Sequence, residues 1–144
     1  MMGSLSTPVP DSFSVSVLVE YRKARDSRWE DGHWQVAGVV AGSDADSGDS
    51  GVRQLHAATQ GQQHLCSGLS IRLHRDDAES YYFNLVSDRP RVFVICIQEA
   101  GEPPRPFIAT LSYGEATSYM ETYELVESVD MPAELYRWAE RYLM

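Results

Sequence analysis

The densest apolar and aromatic stretch of the chain, residues 79–98, restricts the folds that are open to it. Its second half includes VFVICI at residues 92–97, which is apolar on both faces of an extended segment. A strand of that kind is buried from two sides, as a central strand of a sheet is. The first half, ESYYFNLV, alternates large apolar and polar residues, and the following SDRP has turn composition. We therefore predict that residues 79–98 form a β-hairpin around which the fold is built.

Other segments also have the composition of strands. Alternating apolar and polar residues, or short runs rich in β-branched and aromatic residues, indicate half-buried or edge strands. These segments are residues 13–23, 33–41, 63–74, 107–111 and 124–129. The first two are joined by a short connection, which favours an antiparallel pair. In the third, regular alternation places Cys66 on the opposite face from Ile71.

The spacing of apolar residues changes from that of a strand to that of a helix at Ser112. Ser112 and Glu115 have the spacing of a capping box, in which the two side chains satisfy the first free amides of a helix. Apolar residues then recur with amphipathic helical spacing as far as Tyr123. Pro132 opens a second predicted helix, and Trp138 lies on the apolar stripe that we expect to dock against the sheet.

Strands followed by two helices indicate an α+β fold. We predict a mostly antiparallel sheet of six or seven strands, curled into a partial barrel or sandwich, with two C-terminal helices. The 144 residues suffice for a single globular domain, which we place at residues 13–144 after a disordered tail at residues 1–12. Residues 42–51 (GSDADSGDSG) contain no apolar side chain larger than alanine and predict a mobile acidic loop.

The charge of the chain restricts its partners. The formal net charge is −9 at pH 7, so phosphate backbones and anionic lipid surfaces are repelled, and neither nucleic acid nor membrane is an expected partner. The N-terminal residues lack the basic and apolar regions of a secretory signal. No apolar run approaches the ~20 residues that span a bilayer. We expect a cytoplasmic protein.

Few residue patterns in the chain suggest chemistry. Cys66 and Cys96 fall in predicted strands, where reduced, inert thiols are the expectation. His64 and Cys66 lie two apart and could both reach one metal ion, but no third ligand is close in sequence, so packing is the preferred interpretation. The chain contains neither a nucleophile elbow nor a glycine-rich phosphate loop. We predict that the protein is not an enzyme and uses no cofactor or metal.

A group of aromatic and polar residues is the candidate binding site. Trp29, His33 and Trp34 surround the start of the second predicted strand, and Tyr82 and Asn84 lie together on one face of the predicted hairpin. Tyrosine and tryptophan have an apolar body and a polar tip, and they are enriched at interfaces as well as in cores. We predict that these five residues contribute to binding.

Short motifs in a particular order carry a resemblance to a known family. HWQVAGV follows Trp29, LHR precedes YFNL, Pro90 precedes the apolar strand, and VDMPAEL leads into the last helix. In this order the chain resembles an uncharacterised bacterial family, domain of unknown function 3305, over roughly residues 15–142. Residues 42–51 look like a local insertion.

The resemblance implies a function but no catalytic residues. Members of the family are often encoded beside genes for formate dehydrogenase and other molybdenum enzymes. This context implies a non-catalytic accessory or protein-interaction module that serves molybdoenzyme assembly, with a molybdoenzyme subunit or its maturation factor as partner. The alternative is a small-molecule-binding β-barrel, with Trp29, Tyr82 and Asn84 lining the open end of the sheet.

Overall fold

A computed structural model describes residues 8–22, 32–42, 51–58, 61–100, 102–122 and 125–144. Seven strands lie in this part of the chain: β1 (Ser12–Arg22), β2 (His33–Ala41), β3 (Gly51–Ala58), β4 (Gly61–Arg72), β5 (Arg91–Ile97), β6 (Arg105–Thr110) and β7 (Leu125–Asp130). Its helices are α1 (Ala78–Leu85), α2 (Tyr113–Tyr119) and α3 (Ala133–Leu143), and one 3-10 turn at Arg75–Asp77 precedes α1.

The strands form two separate antiparallel sheets. The first has four strands in the order β2-β1-β4-β3, and the second has three in the order β6-β5-β7. The prediction of one six- or seven-stranded sheet curled into a partial barrel or sandwich is therefore wrong, and the described strands form no closed barrel. In the sequence, α1 separates the strands of the two sheets. The described strands before α1 pair with one another, and so do those after it.

The two sheets share one core. Val15, Val17 and Val19 of β1 and Val92 and Val94 of β5 are fully buried in the same cluster. Each buried valine stabilises the fold by roughly 1.5–3 kcal/mol relative to an exposed one. Both edge strands of the second sheet contact the first sheet: β6 lies against β4, an inner strand, and β7 lies against β2, an edge strand. The predicted role of residues 92–97 as a central strand is confirmed, because β5 pairs with β6 on one side and β7 on the other.

The first half of the predicted hairpin is a helix. Residues 78–85 form α1, so the prediction of a strand there is wrong. Tyr81 and Leu85, four residues apart, lie on the same side of α1 and are buried in the core. The Tyr81 hydroxyl also accepts a hydrogen bond from the His74 backbone amide at 2.8 Å. Burial of these two side chains outweighs the strand propensity of the YYF sequence.

A bulge in β4 changes which side chains face the core. Val15 pairs with Leu69, but Val17 pairs with Cys66, so β4 contributes one more residue than β1 between these two pairs. Gly68 lies in this bulge with φ of 94°, a conformation that favours glycine. Cys66 before the bulge and Ile71 after it are therefore both buried. The regular alternation predicted for residues 63–74 is wrong.

The capping box predicted at α2 is present in a modified form. The Ser112 hydroxyl accepts a hydrogen bond from the Glu115 amide at 3.0 Å, as predicted. The Glu115 carboxylate accepts one from the Thr110 hydroxyl at 2.7 Å, and the Thr110 oxygen accepts the Ser112 amide at 3.1 Å. Thr110 thus lies between the two partners of an ordinary capping box. Tyr123, predicted for the apolar stripe of α2, lies outside the described residues.

The predicted C-terminal helix is confirmed as α3, with Pro132 at its N-cap. Trp138 packs on Phe13 with ring centroids 5.1 Å apart, and its indole donates a hydrogen bond to the Pro10 carbonyl at 2.8 Å. Val9 also packs against the core. Of the tail predicted at residues 1–12, residues 1–7 lie outside the described residues, as do residues 43–50 of the predicted acidic loop.

Candidate functional site

The outward side of α1 carries a cluster of exposed apolar side chains. Tyr82, Phe83 and Val86 are 55%, 61% and 57% exposed. Their spacing puts them on the side of the helix opposite the buried Tyr81 and Leu85. The rings of Tyr82 and Phe83 meet edge to face, with centroids 6.0 Å apart. Large apolar side chains therefore occupy both sides of this helix, although only one side contributes to the core.

Tyr113, at the start of α2, is a further exposed aromatic residue close to α1. Two hydroxyls join the helices, since the Ser80 oxygen lies 3.0 Å from that of Ser112, the N-cap of α2. Tyr113 follows Ser112 directly, is 61% exposed, and packs edge to face on Phe93 of β5 at 5.7 Å. We call Tyr82, Phe83, Val86 and Tyr113 together the α1–α2 face.

The size of these side chains distinguishes the α1–α2 face from ordinary surface. Single exposed apolar residues are common on soluble proteins, but adjacent large ones mark contact sites more often. Tyr82, Phe83 and Val86 form such a group on α1, and the Ser80–Ser112 contact brings the helix that begins with Tyr113 beside them. Aromatic residues are also enriched at the centres of protein interfaces, because they bury a large area with few rotatable bonds.

The border of the α1–α2 face is acidic. Asp76, Glu79 and Asp88 are exposed, and none takes part in a salt bridge within the described part of the chain. The arginines nearby have other partners: the Arg89 guanidinium lies 3.1 Å from the Asp130 carboxylate, and that of Arg75 lies over the Tyr142 ring. The apolar cluster is consequently flanked by carboxylates that form no salt bridge with the described residues.

Asn84, one of the five predicted binding residues, is held inside the fold. Its side-chain amide donates hydrogen bonds to the carbonyls of Arg91 at 2.8 Å and Leu111 at 3.0 Å, and its oxygen accepts one from the Arg91 amide at 2.9 Å. Asn84 therefore connects α1 to β5 and to the segment before α2. Tyr82 does not share a face with Asn84 as predicted, because the segment is helical.

The other predicted binding residues lie at the start of β2. Trp34 packs between Tyr21 and His64, with ring centroids 5.4 and 5.2 Å away. His33 is exposed beside it, and Trp29 lies outside the described residues. Trp34 and His33 thus belong to the first sheet, whereas Tyr82 and Asn84 belong to α1. In the structure, Trp34 of β2 contacts His64 of β4, which pairs with the other side of β1.

A cavity of about 320 Å³ lies near this aromatic group. Its lining residues are His64, Glu99, Glu102, Pro103, Pro104 and Arg105. None of them is among the residues predicted for a small-molecule site. Because the described strands form no closed barrel and the cavity excludes Tyr82 and Asn84, the β-barrel alternative has no support in the fold.

The two thiols are buried and poor nucleophiles. Burial raises the pKa of Cys66 to about 11. The pKa of Cys96 is raised to about 12, first by burial and then by the charges of Glu127 and Cys66. Both cysteines are free. At neutral pH almost none of either thiol is present as the reactive thiolate.

The described residues contain no group of potential metal ligands and no helix that could span a membrane. Among those residues, no three His, Cys, Asp or Glu side chains are grouped so that they could hold a metal ion. Within the same ranges, no helix combines the length and apolar character needed to cross a bilayer.

Three of the four residues in the α1–α2 face were not predicted as binding residues. A strand at residues 79–86 places Phe83 on its core face with Tyr81 and Leu85, and no sequence pattern predicts a role for Val86 or Tyr113. The available signal was the four-residue spacing of Tyr81 and Leu85 after three acidic residues, which is compatible with a short helix. A helical interpretation turns Phe83 and Val86 outward.

Comparison with known proteins identifies a family. No curated protein and no solved structure shows significant similarity to the chain. A family model matches residues 14–144, which is nearly the whole sequence and includes every described strand and helix except the first two residues of β1. The family is described as a protein of unknown function. The chain therefore belongs to the family DUF3305, as the sequence motifs had indicated.

Proposed function

We propose that the protein is a non-catalytic, cytoplasmic accessory module that binds a partner protein through the α1–α2 face. The observation that carries the proposal is the group of four large, half-exposed apolar side chains at Tyr82, Phe83, Val86 and Tyr113. The buried residues of α1 already fix the helix in the fold, so stability gives no reason for its outward side to be apolar. Contact with a partner protein gives a reason for these exposed apolar side chains.

The chemistry of the remaining candidate residues agrees with a binding role. Both thiols are buried with raised pKa values, so neither is prepared for nucleophilic attack. Asn84 is occupied by three hydrogen bonds to the backbone. A surface that only binds a partner does not need a reactive thiol or an unoccupied Asn84 side chain.

The proposed partner is a molybdoenzyme subunit, such as one of formate dehydrogenase, or a factor that matures it. This part of the proposal rests on the gene context implied by the family resemblance. An assembly factor has to bind its client and later release it. An interface centred on a few aromatic anchors suits such reversible contact, since a small number of residues carries most of the binding energy.

Co-purification tests this function directly. The tagged full chain, expressed in a deletion strain of its source organism, should recover formate dehydrogenase or another molybdoenzyme with its subunits identified by mass spectrometry. Phe83→Ser and Val86→Ser should each lower recovery at least tenfold. Met120→Ser is the matched control, because Met120 is 49% exposed at the opposite end of α2 from Tyr113.

Enzyme activity in the same strains supplies the second readout. Deletion should lower formate dehydrogenase activity, wild type and Met120→Ser should restore it, and Phe83→Ser should not. Unchanged activity in the deletion strain would rule out a role in assembly. If Phe83→Ser fully restored formate dehydrogenase activity, the α1–α2 face would not be the surface through which the protein acts.

A further inference from the structure

We infer that the partner segment received by the α1–α2 face is an amphipathic helix whose apolar side is flanked by lysine or arginine. This inference rests on the proposed function and adds the chemistry of the partner. Two features carry it: the shape of the apolar cluster along α1 and the carboxylates that border it.

The apolar cluster has dimensions suited to a helix. Tyr82 and Val86 are one turn apart on α1, about 6 Å along its axis, and Phe83 lies between them toward the Ser80 side. Tyr113 is exposed at the start of α2, which the Ser80–Ser112 contact holds beside α1. A helix lying beside α1 at the usual interaxial distance of roughly 8–10 Å can place apolar residues at i, i+3, i+4 and i+7 against these side chains.

The charges at the border select a basic partner. Asp76 and Glu79 lie at the N-terminal end of α1 and Asp88 just beyond its C-terminal end, so carboxylates stand at both ends of the cluster. All three are exposed and without salt bridges to described residues. Lysine or arginine beside the apolar side of the partner would pair with them, which raises the association rate and disfavours acidic segments.

The same charges disfavour a second copy of this chain as the occupant. A two-fold contact uses the same surface on both molecules. It would bring the carboxylates bordering one α1–α2 face toward those of the other, and the net charge of −9 adds long-range repulsion. A separate partner with basic flanks meets no such repulsion.

Designed peptides test the inference on the full chain. One probe is a helical peptide of about 18 residues, with leucine at i, i+3, i+4 and i+7 and lysine on both flanks. The second has glutamate in place of every lysine. Calorimetry should detect binding of the lysine peptide, at least tenfold weaker binding of the glutamate peptide, and at least tenfold loss with Phe83→Ser. Met120→Ser should leave the affinity unchanged.

A charge variant separates the border from the apolar centre. Combining Asp76→Asn, Glu79→Gln and Asp88→Asn should weaken lysine-peptide binding at low salt about tenfold and reduce its salt dependence. Equal affinities for the two peptides would overturn the inference, as would equal losses with Met120→Ser and Phe83→Ser. A dimer of the chain that Phe83→Ser dissolves would also overturn it, because the occupant would then be a second copy.

The native partner distinguishes failure of the inference from failure of the proposed function. If a molybdoenzyme subunit binds wild type, is lost with Phe83→Ser, and is unaffected by the triple charge variant, the α1–α2 face stands as an interface and the basic flanks are excluded. If recovery of the subunit does not depend on Phe83, the proposed function fails as well.

Discussion

Two residues of α1 that are two positions apart have different roles, although their side chains suggest similar ones. Tyr82 and Asn84 both carry polar groups and both belong to the YFNL motif. Asn84 uses both N–H groups of its side-chain amide and its oxygen in hydrogen bonds to the backbone, whereas Tyr82 points outward with more than half of its surface exposed. Asn84 therefore contributes to stability, and Tyr82 is available for contact.

Substitutions at these two positions should separate stability from binding. Asn84→Ala removes three hydrogen bonds and leaves partly buried backbone groups unpaired, which should lower the free energy of unfolding by roughly 2–3 kcal/mol. Tyr82→Ser should change it by less than about 0.5 kcal/mol, as exposed substitutions usually do. Urea unfolding followed by circular dichroism measures both. A similar loss for the two variants would contradict the assignment.

The thiols give a second prediction at the residue scale. Because the pKa values of Cys66 and Cys96 are raised to about 11 and about 12, the native protein at pH 8 should react with iodoacetamide at least ~100-fold more slowly than the same chain in guanidinium chloride. Alkylation followed by mass spectrometry measures the two rates. Fast labelling of either cysteine in the native state would show a reactive thiol and reopen nucleophilic chemistry.

Among the secondary structure elements, those with a long or uninterrupted pattern could be predicted from sequence. β2, β5 and α3 follow from alternation, from apolar faces and from a helical stripe, and each stays close to its predicted bounds. α1 has only eight residues, and YYF is also typical of strands. For so short a segment the buried contacts of Tyr81 and Leu85 determine the structure, and those contacts come from parts of the chain distant in sequence.

The bulge in β4 shows the same limit and provides a test. An isolated glycine in a strand signals a bulge but does not fix which residues pair across it. Gly68→Ala should destabilise the fold by about 1–2 kcal/mol, because φ of 94° is strained for alanine.

Gly38 in β2 is the matched control for this test. It has no positive φ, and a Cβ there meets nothing within 4 Å. Gly38→Ala should therefore be neutral or slightly stabilising. Equal effects of the two substitutions on the midpoint of urea unfolding would contradict the role of Gly68 in the bulge.

For the whole molecule, the division into two sheets was not visible in the sequence. Antiparallel pairing could be predicted from local patterns, whereas the strand count agrees only because the segment of α1 was predicted as a strand and β3 was not predicted. Which strands pair depends on contacts between distant segments. One example is the Glu127 carboxylate of β7, which accepts a hydrogen bond from the Val36 amide of β2 at 2.6 Å and joins one sheet to the other. No sequence pattern near Val36 or Glu127 predicts that contact.

The candidate site could be predicted only in part, for a related reason. Tyr82 was selected because it is aromatic and part of a motif. The α1–α2 face as a surface depends on α1 being helical and on the hydroxyl contact between Ser80 and Ser112 that places α2 beside it. Both facts belong to the assembled fold; the pattern of the sequence alone, interpreted as a strand, places Phe83 in the core and Asn84 on the binding face.

Site-specific photocrosslinking in the source cells tests the central claim most directly. A photoreactive p-benzoylphenylalanine would replace Val86 in one variant and Val40 in another, since both valines are about half exposed but Val40 lies on β2. We predict that irradiation joins the Val86 variant, and not the Val40 variant, to a protein that mass spectrometry identifies as a molybdoenzyme subunit or maturation factor. No such adduct from the Val86 position, or equal adducts from both positions, would contradict the claim that the α1–α2 face is the contact surface.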